Sequence, residues 1–369
     1  MKLDAVVIGA GVIGLACARA LALKGREVVI LERSDGIGQQ TSARNSEVIH
    51  AGLYYPTASN KARFCVEGRR LLYAYLEERK IDHRKCGKLI IASGADEEAR
   101  LNALAAQAEA NGVEGIRTLT GAEARALEPA LPETISAALH STETGILDSH
   151  AYYLSLLGDI EAAGGSIAFQ TRVVSGHVTE RNVHLTLDGQ QAIGVEAATV
   201  INAAGLQAIG VAKAIEGAHV AEIPEARFAK GHYFSVSGRT PFRQLIYPLP
   251  NEAGLGTHLT IDLAGRGRLG PDVDWVAETV DDPNDYSVPE ALAEQFYQAA
   301  QRFWPDLRID QLAPDYAGIR PKLVGPGEAP GDFMIRDEGG GRLINLSGIE
   351  SPGLTSALAI GEHVAGLAA

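Results

Sequence analysis

The chain has 369 residues, 46% of them apolar, which is more than one domain usually holds and ample for a large core. A net charge of −13 with no basic run argues against nucleic acid as a partner. Cys17, Cys65 and Cys86 are too few and too scattered for a disulfide framework or a metal site, so no metal is expected and a reducing compartment fits.

The first predicted elements carry most of the information. Leu3 to Ile8 is an apolar strand, and Gly9-Ala10-Gly11-Val12-Ile13-Gly14 follows at once. Val12 to Lys24 places Ile13, Cys17, Ala20 and Leu21 on one helical face, and a second strand, Glu27 to Leu31, ends at Glu32 and Arg33. Strand, glycine turn, helix, strand and acid come in the order of a dinucleotide-binding unit. Gly9 permits the tight turn, Gly11 lets the backbone approach a pyrophosphate, and Gly14 lets the helix pack closely. The helix N-terminus suits an anion. Glu32 can accept from both ribose hydroxyls and disfavours a 2′-phosphate, which leaves FAD or NAD rather than NADP.

Lys2 and the apolar stretch to Ala22 resemble a secretory signal, but Asp4 interrupts it and the glycine fingerprint lies inside it. The segment reads as structure, and the expected location is the cytoplasm. No other apolar run approaches a membrane span.

Thr41, Ser42, Arg44, Asn45 and Ser46 come next, small and polar, suited to phosphate and ribitol oxygens, followed by His50-Ala51-Gly52. Residues 42–55, Ser-Ala-Arg-Asn-Ser-Glu-Val-Ile-His-Ala-Gly-Leu-Tyr-Tyr, resemble the second FAD contact of the D-amino-acid oxidase/glycerol-3-phosphate dehydrogenase superfamily. Within it they are most similar to the L-2-hydroxyglutarate dehydrogenase/oxidase branch. Four segments match in order: 6–32, 41–56, 198–205 and 345–361. The resemblance implies an FAD-dependent oxidoreductase with the cofactor held noncovalently and this stretch running under the isoalloxazine. The flavin would carry the redox chemistry.

Further along, a helix is expected over Lys61 to Arg79, a strand over Lys88 to Ser93, and an amphipathic helix over Ala95 to Asn111 burying Leu101, Leu104, Ala105 and Ala108. Thr120 and Glu123 form a capping box for a short helix ending at Leu127. A helix over Ala151 to Ala163 and a strand over Ser166 to Phe169 precede Val173 and Val174, which the resemblance places against adenine. Val178 to Leu187 alternates as a strand, with a hairpin turn at Asp188-Gly189. Ala198 to Gly205 is a buried strand, and its turn residues Ala203, Ala204 and Gly205 are placed near the cofactor by the resemblance.

From Ile215 onward the pattern is antiparallel β: Lys230 to Val236, Gln244 to Pro248 and Leu255 to Ile261. A helix over Pro289 to Phe303 follows. Asp315 to Lys322 then reads as a short strand at the return to the nucleotide domain, and Leu343 to Leu346 as the last strand. The turn Gly348-Ile-Glu350-Ser351-Pro352-Gly353-Leu354-Thr355 opens a final helix to Leu367, whose N-terminus would favour negative charge on the reduced flavin. The fold class is α/β. A Rossmann-like FAD-binding domain (1–80, 140–214 and 315–369) is expected beside an α+β substrate or cap domain (81–139 and 215–314) built on an antiparallel sheet.

The resemblance also marks the substrate side. Arg320, in Gly-Ile-Arg-Pro, looks like the arginine that grips a substrate carboxylate or phosphate, although Pro321 departs from the usual branch pattern. Lys230 resembles a second anion contact, and solvent exposure is an equal alternative. His258 resembles the branch's G-V-H-x-T histidine and, with His50, is a candidate base for a hydroxyl proton. His232 reads as a local packing or capping residue. Tyr54, Tyr55 and Tyr247 are candidate pocket walls.

The reading is FAD-dependent oxidation of a small anionic 2-hydroxy acid, such as L-2-hydroxyglutarate, by hydride transfer to the flavin. An amine or amino-acid oxidase, and a protein with purely structural FAD, are the alternatives. Oxygen, a quinone or a carrier protein can serve as electron acceptor, and peripheral membrane contact stays open.

Overall fold

The computed structural model describes residues 1–188, 193–217, 223–249, 257–277 and 285–368. Two large sheets organise them. The first has a parallel centre in the order Leu343–Ser347, Ile193–Asn202, Lys2–Ile8, Val28–Leu31 and Ser166–Ala168. These strands are almost wholly apolar because both of their faces are covered. Helices Val12–Leu23, Asn60–Arg79, Ser149–Ala162 and Gly353–Leu367 bury one face. The antiparallel strands Val173–Val178 and Val183–Leu187 extend the same sheet beyond Ile193–Asn202.

The helices on that face pack at glycine contacts. A Cβ on Gly361 would lie 2.5 Å from the Ala16 carbonyl oxygen, and one on Gly68 2.5 Å from that of Thr355. Only bare backbone lets the final helix lie this close to both the first helix and Asn60–Arg79.

The second sheet runs Asp274–Trp275, Arg227–Val236, Gly267–Gly270, His258–Ile261, Leu245–Pro248, Lys88–Ala92, Ala137–Ser141 and Ile116–Thr120, with Leu312–Lys322 also paired to Arg227–Val236. It is antiparallel except where Leu245–Pro248 runs parallel to Lys88–Ala92. Helices Ala95–Ala110 and Ala293–Gln301 cover its outer side. The expected capping box at Thr120 and Glu123 is present.

Three expectations need correction. Strand Leu312–Lys322 pairs along its length with Arg227–Val236, so residues 315–322 belong to the second sheet and the return to the first comes later. Its Pro321 and polar ends read as a turn, but the long-range pairing overrides them. Val178 to Leu187 is not one strand: the chain turns at 179–182, where the Thr179 hydroxyl accepts from the amides of Arg181 and Asn182. That local bonding competes with strand continuation. Finally, Met334–Glu338 is an unanticipated strand antiparallel to Leu343–Ser347. Gly189 of the expected hairpin turn, and Leu255 and Gly256 of the expected third β run, lie outside the described residues.

The glycine contacts predict a contrast within one helix. Gly361→Ala should cost about 1–3 kcal/mol through overpacking, seen as a lower thermal midpoint. Gly366→Ala, with open space around its Cβ, should be neutral or mildly stabilising.

Candidate active site

The turn after the first strand is built as its glycines require. Gly9 has φ +100°, and a Cβ there would lie 2.7 Å from the Ala203 carbonyl oxygen. A Cβ on Gly14 would lie 1.9 Å from the Gly9 oxygen, so the helix can start here only with glycine. Ala10 sits beneath the turn, and its amide donates to Glu32 Oε2 at 2.7 Å while the Ser34 amide donates to Oε1 at 2.8 Å. Glu32 is thus held in place with lone pairs to spare. The Val12 amide at the helix N-terminus donates to the Ser42 hydroxyl at 3.0 Å.

Two cavities join along this turn, sharing Gly11, Thr41, Ser42, Ala203 and Gly205. One extends to Gly9, Glu32, Arg33, Val173, Val174 and Ala204. The other extends past Val12 and Ile13 to Arg44, Asn45, Ser46, His50 and Arg320, and ends at Glu350, Ser351, Pro352, Gly353 and Leu354. The polar stretch is braced from behind. Tyr153 donates to the Ser42 carbonyl at 2.9 Å, Thr41 donates to the Ile319 carbonyl at 3.1 Å, and Asn45 bonds both Ser42 and Tyr153. Arg44 lies over the Tyr286 ring at 3.8 Å and donates to the Ala317 carbonyl of the second sheet.

The final helix begins at Gly353 with no side chain capping it, and its first turn lines the cavity. Thr355, fully buried, accepts from the His50 amide at 3.0 Å and so ties the His50 loop to this helix. Glu350 is clamped between Lys61 and Lys322, each with Nζ 2.9 Å from its Oε1. Burial alone would raise the Glu350 carboxyl, but the two lysines outweigh it and hold the group ionised. Neither lysine stands out in the sequence, since Lys61 lies 289 residues and Lys322 28 residues from their shared partner.

Several expected contacts play supporting roles instead. Ala51 is wholly buried in the core of the second sheet, and Gly52, at φ +106°, packs against Val66. Gly348, at φ +67°, packs against Leu323. Tyr55 is half-buried, and its carbonyl accepts from the Asn111 side chain at 2.8 Å.

The second sheet closes the cavity through Gly231, Tyr233 and Pro271, with Gly318, Ile319 and Arg320 beside them. Arg320 donates through Nη2 to the carbonyls of Asp272 (2.8 Å) and Lys230 (3.2 Å), and through Nε to Ala229 (3.4 Å). Nη1 makes none of these bonds. Lys230 is a correction: neighbouring strand residues face opposite ways, Gly231 lines the cavity, and Lys230 points away to pair with Asp285 at 3.0 Å. His232 bonds locally to Asp272 at 2.9 Å, in keeping with its expected packing role.

Of the two candidate histidines, His50 lines the cavity, with Nε2 3.2 Å from the Ser351 hydroxyl. His258 is buried behind that wall, stacked flat on Tyr247 at 3.7 Å between ring centroids. Burial, then the charges of Lys88 and His258, pull His50 down to about 3, so it is neutral at pH 7. Lys88, which sequence reasoning missed, is fully buried, and its ammonium lies 4.8 Å from the Tyr54 ring centre and 4.6 Å from that of Tyr247. A lysine at the head of an apolar strand reads in sequence as a solvated end.

The donor set fits FAD. Two helix N-termini line adjoining cavities, a glycine turn admits close backbone approach, and Glu32 offers a fixed carboxylate that a ribose would fit. A family model of FAD dependent oxidoreductases matches residues 4–367, and the chain belongs to that family. The cofactor is therefore FAD, and the protein is an oxidoreductase of this class.

Among its relatives, the mitochondrial L-2-hydroxyglutarate dehydrogenase of Arabidopsis thaliana is 43% identical over 99% of this chain and 83% of its own length. The mitochondrial human enzyme of that name is 29% identical over 98% of this chain and 88% of its own, and the Salmonella houtenae L-2-hydroxyglutarate dehydrogenase 28% over 98% and 92%. Among solved structures, the Mycoplasma pneumoniae L-α-glycerophosphate oxidase with FAD bound superposes with a TM-score of 0.89 at 24% identity, covering 100% of this chain and 95% of that one. Glycine oxidase from Geobacillus kaustophilus gives 0.82 at 20%, covering 100% and 94%. At such identities these two establish the shared fold.

Two expectations follow from the site's electrostatics. The unfolded chain protonates His50 near pH 6.5, whereas the folded chain resists until about pH 3. Stability is therefore lost as pH falls through this window, and His50→Asn should flatten that loss in denaturant titrations. Lys61→Met removes one of the two cations around buried Glu350 and should cost about 3 kcal/mol, with weaker FAD retention on gel filtration.

Proposed function

We propose that the protein oxidises a small 2-hydroxy dicarboxylate, L-2-hydroxyglutarate or a near analogue, to the 2-keto acid. The observation that carries this reading is the cavity wall itself, which is lined by a neutral histidine and by an arginine whose Nη1 makes no hydrogen bond among the described residues. The names of the relatives support the same substrate class.

Bound FAD supplies the two-electron oxidant that takes hydride from C2. The residues of this chain do the rest. Arg320, oriented by three backbone carbonyls, presents Nη1 to the carboxylate next to the reacting carbon. His50, on the cavity wall and neutral at pH 7, accepts the hydroxyl proton as the C–O bond becomes a carbonyl. Tyr233 and Pro271 close the cavity on the second-sheet side and limit access of water. The uncapped N-terminus of Gly353–Leu367 favours negative charge on the reduced cofactor.

The reading includes noncovalent FAD. Acid precipitation should release the yellow chromophore into the supernatant. It also includes action in the cytoplasm, supported by three free thiols. Among the described residues, no helix is long and apolar enough to cross a membrane. Oxygen, a quinone or a carrier protein then reoxidises the flavin.

The decisive measurement is anaerobic bleaching of the flavin absorbance against 2-hydroxy acids and the matching amino acids. Rapid bleaching by L-2-hydroxyglutarate is expected. Bleaching only by amino or N-methyl acids would move the assignment to amine oxidation, and no bleaching by either would leave FAD a structural role. His50→Asn should slow reduction by the hydroxy acid roughly 100-fold or more, and a larger loss in His258→Asn would transfer the base role to His258.

A further inference from the structure

We propose that Lys88 and Tyr54 form the receiving subsite for the second carboxylate of a dicarboxylate ligand. The inference rests on the reading above for the chemical class of the ligand. Its physical basis is a pair of buried donors with nothing to donate to.

Lys88 opens strand Lys88–Ala92 with no exposed surface, and among the described residues its Nζ has no hydrogen-bond partner. The Tyr54 hydroxyl, buried beside it, has none either. The ammonium instead rests between two ring faces, those of Tyr54 and Tyr247. Aromatic faces stabilise a buried cation only partly. A buried charge with no counter-ion is among the costlier arrangements in a protein interior, and an unmet hydroxyl adds to that cost. Among the described residues, no carboxylate bonds Lys88. An anion bound there would satisfy both donors at once.

The strand register relates Lys88 to the two histidines. Lys88 lies opposite Leu245, and Ile246 opposite Leu259, which puts Tyr247 on the same face as Lys88 and beside His258. The Tyr247–His258 stack therefore joins Lys88 to the histidine pair. Lys88 is also close enough to His50 to weaken its protonation, and His50 lines the cavity. Burial lowers Lys88 itself to about 7, as expected of an ammonium awaiting a partner. Arg320 serves one carboxylate; Lys88, across the histidines, serves the other.

The test compares glutarate with butyrate as ligands of the FAD-loaded protein, read by perturbation of the flavin spectrum. The wild type should bind glutarate roughly 10- to 100-fold more tightly than butyrate. In Lys88→Met, a substitution of similar volume that removes the buried charge, this ratio should collapse toward one while the thermal midpoint holds or rises. An unchanged ratio in folded, flavin-loaded Lys88→Met, or no preference in the wild type, overturns the proposal. Should that variant fail to retain FAD, Tyr54→Phe decides: it removes only a hydroxyl, and the ratio should fall several-fold rather than stay constant. Bleaching by L-2-hydroxyglutarate with a ratio indifferent to Lys88 leaves the oxidation reading standing and this subsite refuted. A Lys88-dependent preference for glutarate without bleaching by any hydroxy acid does the reverse.

Discussion

The contact between Gly14 and the Gly9 carbonyl governs the molecule. With no room for a Cβ at 1.9 Å from that oxygen, the first helix leaves the sheet at once, and its N-terminus is aimed along the trough. Glu32 locks the same turn by accepting from the Ala10 amide. The final helix then lies across the first at Gly361, bringing a second N-terminus, this one without a side-chain cap, to the other cavity. A long, anionic cofactor fits between two partial positive charges whose spacing the backbone dictates.

The catalytic side follows a different physical logic. The groups around His50 are few and mutually discouraging: burial, Lys88 and His258 all oppose its protonation. Under the proposed reading, the carboxylates of a bound ligand would offset these charges and raise the proton affinity of His50, coupling binding to proton transfer without any moving part.

The legibility of the chain divides along range. The Thr120 capping box was readable because it is satisfied within three positions, and the glycine turns because the order of strand, turn and helix around them is written in consecutive residues. The second sheet was less so. Leu312–Lys322 owes its length to pairing with Arg227–Val236, and no local pattern in Asp315 to Lys322 announces a partner so far away. The facing of side chains was harder still. Lys230 and Gly231 are neighbours, yet one turns toward Asp285 and the other lines the cavity. Lys61, Lys88 and Lys322 gain their meaning only from burial, which a hydrophilic letter conceals. The resemblance supplied Arg320 and His50 correctly to the cavity because their motifs include the flanking backbone.

The trough joins two segments far apart in sequence, residues 11–13 and 349–354, and the final helix is anchored to the first through Gly361 and Ala16. Helix packing thus sets the width of the cofactor site, and a change at Gly361 would reach that site without touching any residue that lines it.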